Sequence, residues 1–570
     1  MTTVRPTPSR RAFLTAAAAS VGVAGVAACT PPALVDSRVK RASAPQELRV
    51  RQPIPSDRQG FNRRWYAPAL AAVYVPRGLD DVAAHVEDAL RTYGSGVRVT
   101  SGRHGYESFV YSEDTRAIID MSSMNQVGRD VERDTYFVDA GCENWTVYRT
   151  LLNGFGLTLP AGSCYSVGAG GHISGGGYGL LSRLHGLTID HLVGVEIVTW
   201  DEASGQATLR YVSDSSSDVA ERDLFWALRG AGGGNFGIIA RYHFADLPVA
   251  PTHASIFTLA WDWADLTEAN FARLLAEYAD LVANLPPEEF TLLKLNHSAA
   301  GQIGLIWQRA APKGVALATH TAQSEACVAR LAQQLGLAAQ ATPLTTALCG
   351  SPGFLATPPK HASAQHFTYL EALQTLNGSG ANKCGKYKSS YLTAAMPSEQ
   401  VAAAYEWLNT VPEGLDRDQM AESLVQIDSY GGAVNQVASE ATAVPQRSSL
   451  LKLQYQTYWA NDAAPGEALT APQQAQSDGH LAWIRGFYEQ TYAAHGGVPD
   501  PSRDARGVVD GCYYNYPDVD LGTHEQGTAE RALTLYFGDN LRTRPRNLVA
   551  VKRRWDSTNT FRHSQSIPVE

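Results

Sequence analysis

The sequence feature that most constrains the fold is the stretch of residues 162–179, in which eight of the eighteen residues are glycine. Inside a helix or a strand, each glycine would add entropy to the unfolded chain and remove packing surface. Successive glycines instead let main-chain N–H groups approach a large flat ligand or a pyrophosphate closely. A flexible linker is disfavoured, because Cys164, Tyr165 and His172 occur at intervals and a strand-like run follows at 192–198. The stretch therefore predicts a ligand-binding loop rather than regular structure.

The composition is that of a globular protein long enough for two sizeable domains with separate cores. The chain has 570 residues, of which 44% are apolar and 18% are charged. The net charge of -9 argues against nucleic acid or an anionic membrane as the main partner, because phosphate binding needs a basic surface. A small-molecule substrate is favoured.

The seven cysteines and fifteen histidines show no spacing typical of a metal site. No Cys-x-x-Cys pair and no His-Glu-x-x-His motif occurs. We therefore predict no metal ion, no iron–sulfur cluster and no disulfide scaffold. One or two disulfides in an exported form are left open.

The first thirty residues predict an export signal. Arg10 and Arg11 precede an alanine-rich apolar run that ends at Cys29. Because the run is short and contains little leucine, a twin-arginine signal is favoured over a transmembrane anchor, and no membrane span is predicted. Residues 26–29 also fit a lipoprotein cleavage box, so a lipid anchor on Cys29 and simple cleavage nearby are both left open. Residues 31–60 are predicted to be a linker, and the protein is expected outside the cell or on its surface.

The twin-arginine route carries folded proteins, usually with a bound cofactor, which is a first indication of a redox enzyme.

A βαβ unit is predicted from a strand at 69–75, a helix at 79–93 and a strand at 97–100. This unit ends in residues 101–107, where His104 is flanked by glycines. Loops at the ends of strands commonly contact ligands, so this loop is a second candidate for the binding site.

Residues 232–237 match the pattern Gly-x-Gly-x-x-Gly of dinucleotide-binding sites. That fingerprint must leave a strand and open a helix, whereas this one follows a predicted helix at 222–229 and opens a strand. A nicotinamide cofactor is therefore rejected.

The second half of the chain alternates helical and strand-like patterns, which predicts an antiparallel sheet with helices on one face, over a pocket. The predicted helices are 266–283, 322–335, 398–408 and 480–494, and the predicted strands are 290–296, 302–307, 423–428 and 450–455. From about residue 507 the alternation of helical and strand-like patterns ends, and one further helix is predicted near 530–537.

Five motifs, in order between residue 65 and the end of the chain, resemble those of the berberine-bridge-enzyme-like FAD-linked oxidases, which have the vanillyl-alcohol-oxidase fold. They lie at 101–104, 164–179, 223–226 with 237–238, 514–521 and 561–568. The resemblance is greatest to the bacterial branch that includes aclacinomycin oxidoreductase. It implies an α+β fold with a PCMH-type FAD-binding domain of two α/β subdomains over 61–248, a substrate domain over 249–506, and a C-terminal segment, 507–570, that returns to the FAD domain.

The resemblance also implies an FAD attached by two covalent bonds, to His104 and to Cys164. Imidazole nitrogen and thiolate are both nucleophiles able to attack an electron-poor flavin. Val167 matches a position that governs oxygen access, where valine goes with O2 as acceptor and H2O2 as product; simple packing of a small apolar residue is the alternative. The further cofactor contacts implied are Ser101, Gly102, Arg103, Gly105, Gly168, Gly170, Gly171, His172, Gly175, Gly176, Tyr178, Gly237, Ile238, Asn515 and Tyr516.

Tyr516 matches the family's catalytic base. An unperturbed phenol has a pKa near ~10, so a nearby cation or the flavin must lower the pKa of Tyr516. Lys452 matches a lysine with that role in some relatives, and a solvated lysine on a strand is the alternative. Tyr430 resembles a second catalytic tyrosine.

Gln426, Asp428 and Tyr430 alternate along a predicted strand, which favours a substrate-facing row. Gln454 is a further candidate for a substrate contact. No glutamate matches the base that some relatives use for ring closure. We therefore expect oxidation of a secondary alcohol or hemiacetal of a sugar, oligosaccharide or glycosylated or polyketide natural product. Oxidative cyclisation or dehydrogenation of a secondary metabolite and a non-catalytic ligand-binding lipoprotein are the alternatives.

Overall fold

The fold was analysed in a computed structural model that describes residues 48–342, 344, 363–376, 378–379, 382–460 and 463–570. The predicted export signal, the cleavage box at Cys29 and most of the predicted linker lie outside the described residues. Within the described ranges, no helix combines the length and the apolar character needed to cross a bilayer.

The first sheet contains four short strands in the order β1-β2-β4-β3. Its strands are β1 (Val50–Arg51), β2 (Ala72–Tyr74), β3 (Val97–Thr100) and β4 (Ala117–Asp120), and β2 and β3 both pair parallel to β4. Helix α1 (Leu79–Tyr93) has the predicted bounds and buries Val82, Val86 and Leu90. The parallel pairing across α1 confirms the predicted βαβ unit.

The predicted linker ends too late, because residues 48–60 already belong to the folded unit. Strand β1 pairs antiparallel with β2, and the carboxylate of Asp57 is buried. Asp57 accepts hydrogen bonds from the guanidinium of Arg51 and the main-chain N–H of Ile54. These bonds lower the pKa of Asp57 to about 2, although burial opposes them.

The second sheet contains five antiparallel strands in the order β5-β6-β9-β7-β8. They are β5 (Val127–Asp130), β6 (Thr135–Asp139), β7 (Leu192–Asp201), β8 (Gln206–Val212) and β9 (Ile238–Phe244). Helices α2 (Asn144–Phe155), α3 (Ala169–Ser174), α4 (Ser182–His185) and α5 (Val219–Leu228) fall between its strands. The Gly-x-Gly-x-x-Gly match thus follows helix α5 and opens strand β9, which confirms the predicted order.

The third sheet contains seven antiparallel strands in the order β13-β10-β12-β11-β15-β16-β14. They are β10 (His253–Asp262), β11 (Glu289–Asn296), β12 (Gln302–Ala310), β13 (Gln365–Thr368), β14 (Cys384–Leu392), β15 (Leu424–Ser429) and β16 (Leu451–Trp459). Helices α6 (Glu268–Ala283), α7 (Leu317–Gln334), α8 (Tyr369–Thr375), α9 (Ser398–Leu408) and α10 (Ala471–Thr491) accompany the sheet, with α7 packed on β10 and α10 packed on β14 and β16. The predicted antiparallel sheet with a helical layer is confirmed.

Strand β14 is not predicted, because two lysines interrupt its apolar pattern. All nine of its residues are buried. Lys386 Nζ donates to Glu107 Oε1 and Asp518 Oδ1 at 2.5 Å each, and Lys388 Nζ donates to Asp518 Oδ2 at 2.7 Å. The carboxylates raise the pKa of Lys386 above its usual value against the effect of burial. This cluster joins the loop after β3, strand β14 and the C-terminal segment.

The C-terminal segment returns to the second sheet. It contains α11 (Ala529–Phe537) and α12 (Leu548–Trp555). Buried Lys552 donates from Nζ to the carbonyls of Asn235 (2.7 Å) and Phe561 (2.6 Å), so it ties the turn before β9 to the last ten residues of the chain.

We expect stability to fall in mild acid, because several histidines are held neutral by burial. Burial lowers the pKa to about 4 for His104, His172, His185, His297, His320 and His480. The unfolded chain binds protons at these sites below about pH 6.5, whereas the folded protein does not until about pH 4. The stabilisation is therefore complete above pH 6.5 and decreases as the pH falls to 4. Thermal unfolding midpoints measured from pH 7 to pH 4 should fall steadily, and an unchanged midpoint over this range would contradict the expectation.

Candidate active site

One cavity runs between the first two sheets and the seven-stranded third sheet. Its walls come from β3 and the loop after it, the glycine-rich stretch, the start of β9, the inner faces of β11, β12, β15 and β16, and residues 513–517 and 561–563 of the C-terminal segment. All five motifs singled out in the sequence contribute to, or border, this cavity.

Two loops cross at the floor of the cavity with their backbones in contact. A Cβ atom on Gly102 would lie 2.2 Å from the main-chain nitrogen of Gly168, and one on Gly168 would lie 2.1 Å from Ser101 Oγ. Any side chain at either glycine would therefore separate the loops. The backbone itself forms this wall, as the glycine content predicts.

The glycine-rich stretch departs from the prediction in one respect, because residues Ala169–Ser174 form the short helix α3. The N–H groups of Ala169 and Gly170 donate to the carbonyls of Cys142 (2.7 Å) and Ala140 (2.8 Å), so these two groups anchor the helix instead of facing a ligand. A Cβ atom on Gly171 would have no neighbour within 4 Å, and Gly171 lines the cavity. The stretch thus offers close backbone approach at the start of a helix.

His104 and Cys164 both line the cavity. The His104 ring stacks on Phe61 with centroids 4.7 Å apart, and its Nε2 lies 2.8 Å from Ser166 Oγ. Burial lowers the pKa of His104 to about 4, so its imidazole is neutral near pH 7. The carbonyl of Cys164 accepts a hydrogen bond from Asn144 Nδ2 at 3.1 Å, which fixes the loop that carries the thiol.

His172 supports the same loop. Its Nε2 accepts the N–H of Gly162 at 3.0 Å, and burial lowers the pKa of His172 to about 4. Asn515 donates from Nδ2 to the His172 carbonyl at 2.9 Å. The C-terminal segment is thereby attached to the glycine-rich stretch.

Tyr516, Lys452 and Asp428 form a hydrogen-bonded chain at the other end of the cavity. Lys452 Nζ is fully buried and lies 3.2 Å from Tyr516 Oη and 2.5 Å from Asp428 Oδ2. It also lies 4.6 Å from the ring centroids of Tyr178 and Tyr516. Lys452 is therefore not a solvated lysine.

Of the two expected causes of a lowered Tyr516 pKa, the nearby cation does not act in this way in the structure, and the effect of a bound flavin stays a prediction. Burial raises the pKa of Tyr516 well above 10, and the carboxylate of Asp428 adds to the shift. The positive charge of Lys452 is paired with Asp428 and does not reverse the rise in the pKa of Tyr516. This shift favours the protonated phenol near pH 7.

Polar side chains form a row on the cavity side of the third sheet. Lys294 on β11 is opposite Gln426 on β15, and Gln426 is opposite Gln454 on β16. Gln426 Nε2 donates to Asp428 Oδ1 at 2.7 Å. Gln426, Asp428, Gln454 and Lys294 all line the cavity, together with apolar Phe290, Leu292 and Ile306.

Tyr430 does not join this row. Strand β15 ends at Ser429, and Gly431 and Gly432 follow with positive φ angles of 88° and 61°. The fully buried Tyr430 ring packs against Tyr178 and Tyr391, and its hydroxyl donates to the Gln446 carbonyl at 3.1 Å. The structure places Tyr430 in the core, which corrects both its predicted catalytic role and its predicted substrate contact.

The remaining predicted site residues fall into two groups, those that line the cavity and those that do not. Those that line the cavity are Ser101, Gly102, Arg103, Gly105, Val167, Gly168, Gly170, Gly171, His172, Tyr178, Gly237, Ile238, Asn515 and Tyr516. Gly175 and Gly176 do not: a Cβ atom on Gly175 would lie 2.0 Å from Asn515 Oδ1, so this glycine admits the C-terminal segment. Lys452 also lies behind the cavity wall and reaches the site through its bond to Tyr516.

Four contributors are not predicted as site residues from the sequence, although Ser166 and His563 lie within the motifs at 164–179 and 561–568. Asn144 and Ser166 act through residues twenty or more positions away. Tyr106 stacks on Tyr387 at 3.6 Å, and His563 stacks on Phe109 at 4.1 Å. Tyr106, two residues after His104, could also have been proposed from its neighbourhood.

The cavity suits a flavin dinucleotide. The contact between Gly102 and Gly168 makes a wall of bare backbone, and the open side of Gly171 allows close approach of a flat ring or pyrophosphate. A neutral imidazole and a thiol lie in the same wall. In the described part of the chain, no group of three or more His, Cys, Asp or Glu side chains is arranged to hold a metal ion.

Family models and known proteins agree with this fit. The FAD binding domain model matches residues 70–204, and the model described as berberine and berberine like matches residues 512–568. The chain is 38% identical to hexose oxidase of Chondrus crispus over 539 residues, which cover 91% of this chain and 93% of that protein. It is 34% identical to the aclacinomycin-N/aclacinomycin-A oxidase of Streptomyces galilaeus, covering 89% of this chain and 87% of that one.

Solved structures give the same result. The flavoenzyme CrmK of caerulomycin biosynthesis superposes with a TM-score of 0.77 at 33% identity, covering 92% of this chain and 100% of that one. Aclacinomycin oxidoreductase superposes with a TM-score of 0.75 at 31% identity, covering 92% and 99%. The protein is an FAD-linked oxidoreductase that acts on CH–OH groups with O2 as acceptor. Within that class, the chain belongs to the berberine-bridge-enzyme-like oxidases, with the PCMH-type α+β fold expected from its motifs.

Proposed function

We propose that this protein is an exported oxidase with FAD attached to His104 and Cys164, which oxidises a secondary alcohol or hemiacetal carbon of a sugar, oligosaccharide or glycosylated natural product. One observation carries the proposal. The Tyr516–Lys452–Asp428 chain reaches the same cavity that His104 and Cys164 line, next to the row of polar side chains on the third sheet.

His104, Cys164 and the backbone at Gly102, Gly168 and Gly171 would hold the cofactor. Bound FAD would supply the two-electron acceptor for the substrate hydride and the electrons that reduce O2 to H2O2. A small side chain at Val167, in the cavity wall, supports O2 as the acceptor.

Tyr516 Oη would take the proton of the substrate hydroxyl. Because burial raises the pKa of Tyr516, the phenol must first lose its own proton. Lys452 Nζ lies between Tyr516 Oη and Asp428 Oδ2, so it can accept that proton while it passes one of its own to Asp428. The base is thus generated by a relay within the protein.

The lining of the third sheet supports the proposed substrate class. Amide and carboxylate groups of Gln426, Gln454 and Asp428 suit a molecule rich in hydroxyl groups, and the apolar side chains of Phe290 and Ile306 suit the face of a ring. The names of two relatives, a hexose oxidase and an aclacinomycin oxidase, support the same class.

Export through the twin-arginine route is part of the proposal. Arg10 and Arg11, followed by the alanine-rich run, support it, and a covalent cofactor would resist loss outside the cell. A lipid anchor at Cys29 is testable by mass analysis of the mature N-terminus.

The substrate is tested by peroxide detection. Purified protein is incubated in air with hexoses, oligosaccharides, glycosylated polyketides and the same polyketides without their sugars, and H2O2 and the oxidised product are quantified. We expect stoichiometric H2O2 and a ketone or lactone from at least one of these classes. Turnover restricted to substrates without a sugar would contradict the proposed class, and ring closure instead of carbonyl formation would favour oxidative cyclisation.

A further inference from the structure

The hydroxyl group of Ser166 lies between the imidazole of His104 and the side chain of Ser379. His104 Nε2 is 2.8 Å from Ser166 Oγ. The Ser166 hydroxyl donates to Ser379 Oγ at 3.1 Å, and the Ser166 main-chain N–H donates to the same atom at 3.1 Å. Ser379 Oγ therefore accepts both hydrogen bonds that Ser166 can donate.

This arrangement determines which nitrogen of His104 carries a proton. Burial lowers the pKa of His104 to about 4, so the ring is neutral near pH 7 and has a single N–H. The Ser166 proton is directed at Ser379, so Ser166 Oγ presents a lone pair to Nε2. The ring proton must then be on Nε2, and Nδ1 keeps its lone pair. Stacking on Phe61 holds the ring plane.

We propose that Ser166, oriented by Ser379, is a positioning residue that selects the Nε2–H tautomer of His104 and so makes Nδ1 the nucleophile for attachment of the flavin. The inference rests on the attachment to His104 in the proposed function. It assigns a role to a residue 62 positions away from His104 in sequence.

The attachment can be balanced with groups already named. A C–H bond of a flavin methyl group and the N–H bond of the imidazole are broken, and one C–N bond is formed. The two electrons and two protons that are released convert one O2 into one H2O2. Once Nε2 has lost its proton it becomes an acceptor, and the Ser166 hydroxyl can rotate to donate to it. A hydroxyl group serves both states, whereas a methyl group serves neither.

The experiment uses the Cys164→Ala protein, in which flavin that survives denaturation can be held only by His104. Into this parent we introduce Ser166→Ala, Ser166→Thr or Ser379→Ala. Bound flavin is quantified before acid denaturation, and the fraction left on the His104 peptide is then measured by mass after a fixed maturation time. The bound flavin before denaturation reports folding and binding, independently of attachment and of turnover.

We expect Ser166→Ala to lower the attached fraction about tenfold, the factor that corresponds to one lost hydrogen bond. Ser166→Thr keeps the hydroxyl and should stay within about twofold of the parent. Ser379→Ala should give an intermediate loss, because the Ser166 hydroxyl could then donate to Nε2 and favour the other tautomer.

The inference is overturned if Ser166→Ala attaches flavin as completely as its parent, or if Ser166→Thr loses as much as Ser166→Ala at equal bound flavin. If Ser166→Ala does not bind flavin at all, the attached fraction of Ser379→Ala is compared with that of the parent instead. An attached fraction equal to that of the parent then overturns the inference. A parent without flavin on His104 would overturn the attachment and this inference together. Normal attachment in both the parent and Ser166→Ala would overturn only the inference.

Discussion

Replacing Tyr516 by phenylalanine should lower kcat about 10³-fold while the flavin stays bound. The substitution removes the only atom of this side chain that can take a proton and leaves its ring packing intact, and a positioned general base typically contributes about 10²–10⁴ in rate. The ring contacts with Tyr106 and Tyr513, at 5.9 and 5.0 Å, should persist. Flavin reduction under anaerobic conditions, followed by stopped-flow absorbance, measures the affected step directly.

Tyr430→Phe is the matched control for Tyr516→Phe. It makes the same chemical change at a buried tyrosine that lies outside the cavity and donates to the Gln446 carbonyl. We expect kcat within about threefold of the wild type and a free energy of unfolding lower by about 1–2 kcal/mol, because the hydrogen bonds of the Tyr430 hydroxyl with the Gln446 carbonyl and Tyr391 are lost. Equal losses of kcat in the two variants would contradict the role assigned to Tyr516.

Lys452→Met should reduce both stability and activity. It leaves the buried carboxylate of Asp428 without its cation, and breaking such a pair typically costs about 3–5 kcal/mol in the free energy of unfolding. It also removes the relay from Tyr516, so kcat should fall about 10²-fold or more. Denaturant unfolding and steady-state kinetics measure the two effects separately.

The double variant Lys452→Met/Asp428→Asn separates the two roles of Lys452. Removing both charges should restore most of the lost stability, since no unpaired charge remains in the core. Activity should not return, because the proton of Tyr516 still has no acceptor. Recovery of kcat together with stability would show that Lys452 acts only as a structural counter-ion.

Elements with a clear local pattern could be predicted from the sequence. Helix α1 has the predicted bounds, because its apolar residues recur at helical spacing and a glycine follows its last turn. Strand β14 could not be predicted, because its two lysines are buried only through carboxylates more than a hundred residues away. The same limit applies to Tyr430, whose orientation depends on where strand β15 ends.

In the candidate site, too, some residues could be predicted from a local motif and others depend on residues distant in sequence. His104, Cys164 and Tyr516 could be predicted as site residues because each lies in a short motif that resembles one of the family's. Nothing local indicates that Asn144 holds the Cys164 loop or that Ser166 contacts the His104 ring. The direction of the Tyr516 pKa shift also depends on burial and on the Lys452–Asp428 pair, which only the assembled fold creates.

The most direct test is to locate the flavin on the wild-type protein after it has been denatured. The purified protein is precipitated with acid, and the pellet is digested and its peptides are mapped by mass. We predict a yellow pellet in which one flavin links the peptides that contain His104 and Cys164. Flavin released into the supernatant, or attached to neither residue, would contradict the attachment on which the proposed function is built.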